Sequence, residues 1–490
     1  MPALQLQYAP TNKNTRMVMY MFRKERPWVS IWSQIEPWWM VMVLLMFYIM
    51  SILDRLALNM LVVPIQKEMG FSDVQMSLII GPAFAVAHGL FALPLGWACD
   101  RFSRRKVLFG GFSIWSFATV CAGLSKTFPS LFASRVMVGA AEASLMPAAY
   151  SMIADRVPRH RMTTAMSIFG MGPKLGNAFA FGIGGWVIAY TASVGTMTFP
   201  VIGDVSAWRS ALILLGAPGI LLSLLVFTFR EPIRRGMHGL SERANKVSEK
   251  VGEIAFKDYL MQRKMLYGLL LLGFSCTTMA ALASLSWVPT YITRHFGLSP
   301  KEYGPALSLL YAVGACSMLV KGLVIDWLYK RGYKDAHIRF YTLILILALP
   351  AIGVAFTTDD FKIFVFAYAA LDIILLNSVF YVSATIQLMA PTHLRGRVMG
   401  MFILVVGTVA PTISPTLVAT ITEHVFEDQA KLGYSLISVS ATSVVLAILV
   451  LGYTLRYLRP ELDRVASENE AHQVEQDQAS AGSGQPLAAR

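Results

Sequence analysis

Stretches of about 20 or more mostly apolar residues recur along the whole chain, and that property restricts the fold more than any motif in it. A hydrocarbon core of about 30 Å needs roughly 20 helical residues to cross. Backbone in lipid has no water to bond, so each crossing segment must satisfy its own N–H and C=O groups, as an α-helix does. Twelve segments qualify, at about 38–64, 73–98, 107–124, 129–154, 163–190, 207–228, 266–293, 302–326, 338–357, 361–390, 398–421 and 433–455. The expectation is an all-α polytopic membrane protein. A hydrophobic content of 55% against 14% charged residues agrees with it.

Charge then sets the orientation. Lys and Arg gather in the N-terminal tail, the even-numbered connections and the C-terminal tail, and are sparse in the odd-numbered connections. The positive-inside rule places both termini in the cytoplasm, as expected for a protein of the bacterial inner membrane. The net charge of +13 is thereby explained by topology, and no nucleic-acid partner is expected. The basic "MFRKERPW" segment can lie on anionic lipid. Cys99, Cys121, Cys276 and Cys316 form no CxxC pair, so neither a disulfide nor a metal is expected, and no cofactor. No cleavable signal peptide is expected, because the first long apolar segment is too long for an h-region and follows a mostly polar stretch.

The longest polar connection, 229–265, carries nine Lys and Arg and divides the spans six and six. The expected organisation is an N-terminal tail (1–37), an N-terminal six-helix bundle (38–228), a linker (229–265), a C-terminal six-helix bundle (266–457) and a disordered tail (458–490). The halves echo each other. "GWACDRFSRRK" follows span two with Gly96, Asp100, Arg101, Arg104 and Arg105; "GLVIDWLYKRG" follows span eight with Gly322 and Asp326. Repeated six-helix halves are the pattern of secondary transporters that bind substrate between them.

The loop Gly96-x-x-x-Asp100-Arg101-x-x-Arg104-Arg105 resembles the signature of the major facilitator superfamily, with Ser103 where that family often has Gly. The resemblance implies the major facilitator fold, twelve helices in two pseudo-symmetric six-helix bundles, over about residues 38–457. Carboxylate and guanidinium groups at these helix ends, Asp326 included, can pair across one face and act as a conformational gate.

Ionisable residues inside spans are few: Asp54 and Arg55 in span one, His88 in span two, Arg135 and Glu142 in span four, Lys174 in span five and Asp372 in span ten. Placing a charge at the bilayer centre costs about 2.5–3.5 kcal/mol on insertion scales, so such groups face partners or a water-filled path. Arg135 and Glu142 are about two turns apart, on nearly one helix face. Estimated depths allow Asp54 to pair with Arg135 in one state of the cycle while Glu142 titrates below; a permanent packing pair is the alternative. "ILDRL" together with "SRVMVGAAEASLMPAAYSMIADR" is similar to the spinster branch of the superfamily. That resemblance implies a proton-coupling role for Asp54, Arg135 and Glu142 and a lipid-like substrate. Lys174, His88, Asp372 and Asn377 are candidate substrate contacts, each with a structural alternative: snorkelling or an ion pair for Lys174, a hydrogen-bonded core position for His88, a structural polar contact for Asp372.

The function expected is a proton-coupled secondary active transporter, working by alternating access on an amphipathic or organic-anion small molecule. The alternative is a proton symporter importing an aromatic or other organic acid. Small molecule, protons and bilayer are the expected partners, and a monomer the expected state. No HExxH or GxSxG motif and no metal-spaced His/Cys cluster supports an enzyme, and scattered single charges do not suggest a channel filter.

Overall fold

A computed structural model of the chain describes residues 27–158, 161–200, 203–234, 256–375, 378–391 and 394–482. Among them, eleven helices are long and apolar enough to cross a membrane: Ile35–Met60, Asp73–Arg101, Arg104–Leu124, Phe128–Arg156, Thr164–Val194, Ala207–Thr228, Lys264–Phe296, Pro300–Lys330, Ala336–Thr357, Arg397–Val425 and Gln429–Val465. Two shorter helices, Phe361–Leu375 and Ser378–Met389, occupy the place of the tenth span. The spans are numbered one to twelve in chain order.

Several spans are interrupted where the sequence withholds a backbone donor or a side chain. Span two breaks at Gly81, before Pro82. A Cβ on Gly81 would stand 2.8 Å from the Pro411 carbonyl, so spans two and eleven approach there as closely as backbone allows. Span four is divided into Phe128–Glu142 and Leu145–Arg156. Span five breaks at Met171 ahead of the Gly172–Pro173 pair and carries a π-helical turn at Ala180–Gly184. Between spans five and six, Met197–Phe199 and Gly203–Val205 form a small antiparallel pair, β1 and β2, with Met197 opposite Val205.

The terminal boundaries differ from those expected. The first helix begins at Pro27 and runs through Pro37. The last continues to Gly482, so the expected disorder does not hold between 458 and 482. Its emerging turns are anchored: Leu458 and Leu462 are buried, and Arg459–Asp335 and Glu461–Arg263 (each 2.6 Å) and Asp463–Lys334 (3.0 Å) tie them to the bundle.

The buried apolar residues fall into two clusters. One joins the C-terminal half to residues such as Leu56, Met60, Phe181 and Leu212 in the N-terminal half, all toward the face away from the chain termini. The other contains Leu44, Phe47, Trp115, Leu145, Met152 and Phe169, toward the face that bears the termini, and includes no residue of the C-terminal half. The halves therefore share a core at the opposite face and are separate at the terminal face.

Candidate functional site

Buried charge in the N-terminal half gathers around one carboxylate. Glu142 closes the first helix of span four and is 2% exposed. Ser51 and Arg55, one turn apart on span one, both address its Oε1: Ser51 Oγ donates at 2.7 Å and Arg55 Nη2 forms the ion pair. Arg55 Nη2 also donates to Ser51 Oγ at 3.1 Å, and its guanidinium lies 4.5 Å from the centre of the Phe84 ring. Its side chain is 32% exposed, so this pair has one buried member and one at the edge of the cleft.

Arg135 and Asp54 are each 2% exposed. The Arg135 guanidinium lies 5.9 Å from the same Phe84 ring and within electrostatic reach of both carboxylates. The expected Asp54–Arg135 pair is absent among the described residues; Arg55, not Arg135, carries the ion pair, and it is made with Glu142. Asp54 stands beside Trp115 and Thr119 of span three, with its Oδ1 unbonded. Successive helical side chains diverge by about 100°, so Asp54 and Arg55 necessarily serve different neighbours. Gly139 lets spans two and four meet, since a Cβ there would strike the Phe84 carbonyl.

A second buried pair joins the two halves. Lys174 of span five and Asp372 of span ten, 5% and 3% exposed, are 2.6 Å apart. Lys174 Nζ lies 5.5 Å from the centre of the Tyr311 ring. Tyr311 shares a 2.9 Å hydroxyl contact with Tyr368 and stacks on Phe181 across the halves, ring centres 5.4 Å apart. Lys321 of span eight donates to the carbonyl of Ile373, the residue next to Asp372. Of the other candidate contacts, His88 is half-buried and stacks on Phe84 at 5.5 Å, and Asn377 lies outside the described residues.

The opposite face is sealed by a cluster that the spacing arguments missed. Arg294, at the end of span seven, grips both Asp73 oxygens at 2.6 and 2.9 Å and donates to Gln66 Oε1 at 2.9 Å. Gln66 donates to Asp73 Oδ1 at 2.7 Å, and Glu423 accepts from the Val74 backbone at 2.9 Å. Asp73 and Arg294 flank apolar helices as cap-like charges, which was the available signal.

At the terminal face the signature loop is bound within its own half. Arg104 is buried, donates to Ser151 at 2.7 Å and to the Pro232 carbonyl at 2.6 Å, and pairs with Asp155; its backbone N–H donates to Glu231 at 2.8 Å. Arg105 donates to the Val226 carbonyl at 3.1 Å. Arg101 stacks on Trp97 at 5.5 Å. The Asp100 backbone carbonyl accepts from Arg234, Gly96 has no neighbour at its Cβ position, and Asp326 is exposed. Among the described residues, no hydrogen bond or ion pair joins the halves at this face, so in this conformation the gate expected of Asp100, Arg101, Arg104, Arg105 and Asp326 does not span them.

Two helical bundles that share a sealed face, leave the other unsealed and hold ionisable residues at mid-depth have the architecture of a membrane carrier. The chain belongs to the Major Facilitator Superfamily, whose pattern it matches over residues 44–415, and it is accordingly a transporter rather than an enzyme. It is 26% identical over 304 residues to a probable L-galactonate transporter of Escherichia coli, a match covering 60% of this chain and 63% of that relative. It is 26% identical over 317 residues to a probable galactarate/D-glucarate transporter of Bacillus subtilis, covering 60% of this chain and 66% of that protein. The matched region thus spans somewhat under two thirds of each relative's length. A bacterial homolog of the human lysosomal transporter Spinster, solved inward-facing and unoccupied, superposes with a TM-score of 0.68 at 21% identity, covering 88% of this chain and 98% of that one. At that identity the likeness concerns the fold.

Proposed function

We propose that this chain is a proton-coupled carrier of an organic anion that works by alternating access, with its terminal face in the cytoplasm of a bacterial inner membrane and the monomer as its working unit. The observation that carries this reading is the Glu142–Arg55 pair, with Ser51 on the same carboxylate oxygen and Arg135 and Asp54 buried beside it. Two carboxylates and two guanidinium groups share this part of the bundle, and one ion pair is made among them. A proton arriving on Glu142 removes the charge that holds Arg55 and leaves that cation, already at the edge of the cleft, free to favour an anion there. The loaded proton and the loaded anion thereby stabilise each other, which is the requirement for symport.

Asp54 and Arg135 tune the same pocket, each being buried within reach of Glu142. The sugar-acid relatives support an organic acid as cargo, and the Arg and Lys residues along the cleft supply cations for it. Asp73–Arg294 seals the opposite face in the conformation described; the signature loop with Asp326 is the corresponding gate for the other conformation.

The test is a screen of sugar acids, aromatic acids and fatty acids in proteoliposomes under an imposed inward proton gradient. An organic acid should accumulate against its own gradient. Glu142→Gln should abolish that accumulation while leaving exchange of labelled for unlabelled substrate. Accumulation that persists in Glu142→Gln contradicts the coupling.

A further inference from the structure

Lys321 finds no role in the coupling site, yet it reaches the heart of the cleft. Its ammonium bonds the Ile373 carbonyl beside Asp372 rather than Asp326, the carboxylate one turn further along its own helix. In a helix crossing from the opposite face, backbone carbonyls point toward the terminal face, so Lys321 approaches Asp372 from the unsealed side. The Lys174–Asp372 pair lies on the other side of that carboxylate, backed by the Tyr311–Tyr368 hydroxyl contact and the Phe181–Tyr311 stack.

Two ammonium groups here face one carboxylate. Each ammonium has three donors; Lys174 spends one on Asp372, and Lys321 spends one on a neutral carbonyl. Asp372 Oδ1 has no hydrogen-bond partner. Gly314 removes the side chain that would fill this space: a Cβ there would stand 2.9 Å from Asp372 Oδ2 and 3.5 Å from Lys174 Nζ. Lys174 and Asp372 are buried, Lys321 is half-buried on the side of the terminal face, and the group holds one more basic than acidic side chain.

Building on the anion-carrier reading, we propose that Lys321 and Lys174 form the docking site for a substrate carboxylate, with Asp372 as the resident counter-ion that occupies Lys174 when substrate is absent. An incoming carboxylate meets Lys321 first, because that residue stands nearer the unsealed face, and then bridges to the free donors of Lys174. It supplies the missing negative charge. Asp372 meanwhile limits the affinity of the site by competing for Lys174, which permits release.

The proposal gives opposite signs to two charge-removing substitutions, an outcome that loss of packing would not produce. Binding of acids found in the transport screen is measured on purified protein by isothermal titration, alongside the methyl ester of each acid. Lys321→Gln should weaken acid binding at least tenfold and leave ester binding unchanged, and Lys321→Arg should restore most of the loss. Asp372→Asn should tighten acid binding several-fold. Unchanged acid affinity in Lys321→Gln, or equal weakening of acid and ester, overturns the docking site while the carrier reading stands. If no acid binds the wild-type protein, the anion-carrier reading itself fails.

Discussion

The two buried ion pairs of this transporter differ in what they connect. Glu142–Arg55 joins spans one and four within one bundle, whereas Lys174–Asp372 joins span five of one bundle to span ten of the other. Rocking one rigid half against the other leaves the first pair intact and strains the second. The first can therefore be switched by chemistry, through a proton on Glu142, and the second by motion or by a competing anion. Under the proposed coupling the first would register the proton and the second the cargo.

Breaking the Glu142–Arg55 pair should have the largest effect. Glu142→Gln is expected to reduce gradient-driven accumulation by at least about tenfold, a change worth roughly 1.4 kcal/mol in the coupling. Arg55→Gln should impair accumulation as well, because the carboxylate then has no cation to exchange; transport assays on both variants check this. A second effect, on the conformational equilibrium rather than on coupling, should follow from opening the sealed face. Truncating one partner of a buried, hydrogen-bonded charge pair costs about 2–5 kcal/mol, so Asp73→Asn should shift the population toward the conformation open at the opposite face. Thiol labelling from that face of a cysteine placed at Phe181, buried against Tyr311 across the halves, should then accelerate relative to the same cysteine in the parent.

Two further substitutions are read through stability rather than through transport. Gly139→Leu places a side chain against the Phe84 backbone, an overpacking that typically costs 1–3 kcal/mol, roughly. Thermal unfolding of the detergent-solubilised variant should show the loss. The smallest effect concerns Glu68, in the connection between spans one and two. Burial alone would raise its carboxyl, but the neighbouring Ser206 hydroxyl and hydrogen bonds from Arg209 and Trp208 hold it below the ordinary value of 4.5. A depressed folded-state value means that this contribution is present above about pH 4.5 and is lost as the pH falls through the lower folded value. Glu68→Gln should accordingly flatten the decline of melting temperature on acidification, and only slightly, since the carboxylate is partly in solvent.

Much of this architecture is legible in the sequence, because span length and hydropathy are properties of each segment alone. Eleven of the twelve apolar segments coincide with helices long enough to cross a membrane, and two shorter helices stand at the tenth. The seven-residue spacing of Arg135 and Glu142 likewise marks two residues that are both buried. What spacing does not specify is the rotation of one helix against another. That rotation gives Glu142 to Arg55 and leaves Asp54 beside Trp115 in this conformation, an arrangement that depth alone does not specify. Contacts across the two halves are less legible still. Lys174 and Asp372 are 198 residues apart, and only the packing of spans five, eight and ten brings them and Lys321 together. The helix beyond Pro460 was hidden for a related reason: its polar composition suits a solvated tail, and its order comes from Asp335, Lys334 and Arg263 elsewhere in the chain.

Proton coupling through Glu142 is the central claim, and substrate-driven proton flux tests it most directly. Proteoliposomes holding a pH-sensitive dye, with no imposed gradient, are given the organic acid identified in the transport screen. Wild-type protein should acidify the lumen as the acid enters, and Glu142→Gln should carry labelled acid in exchange without any change in dye signal. Equal acidification by both proteins would contradict the account.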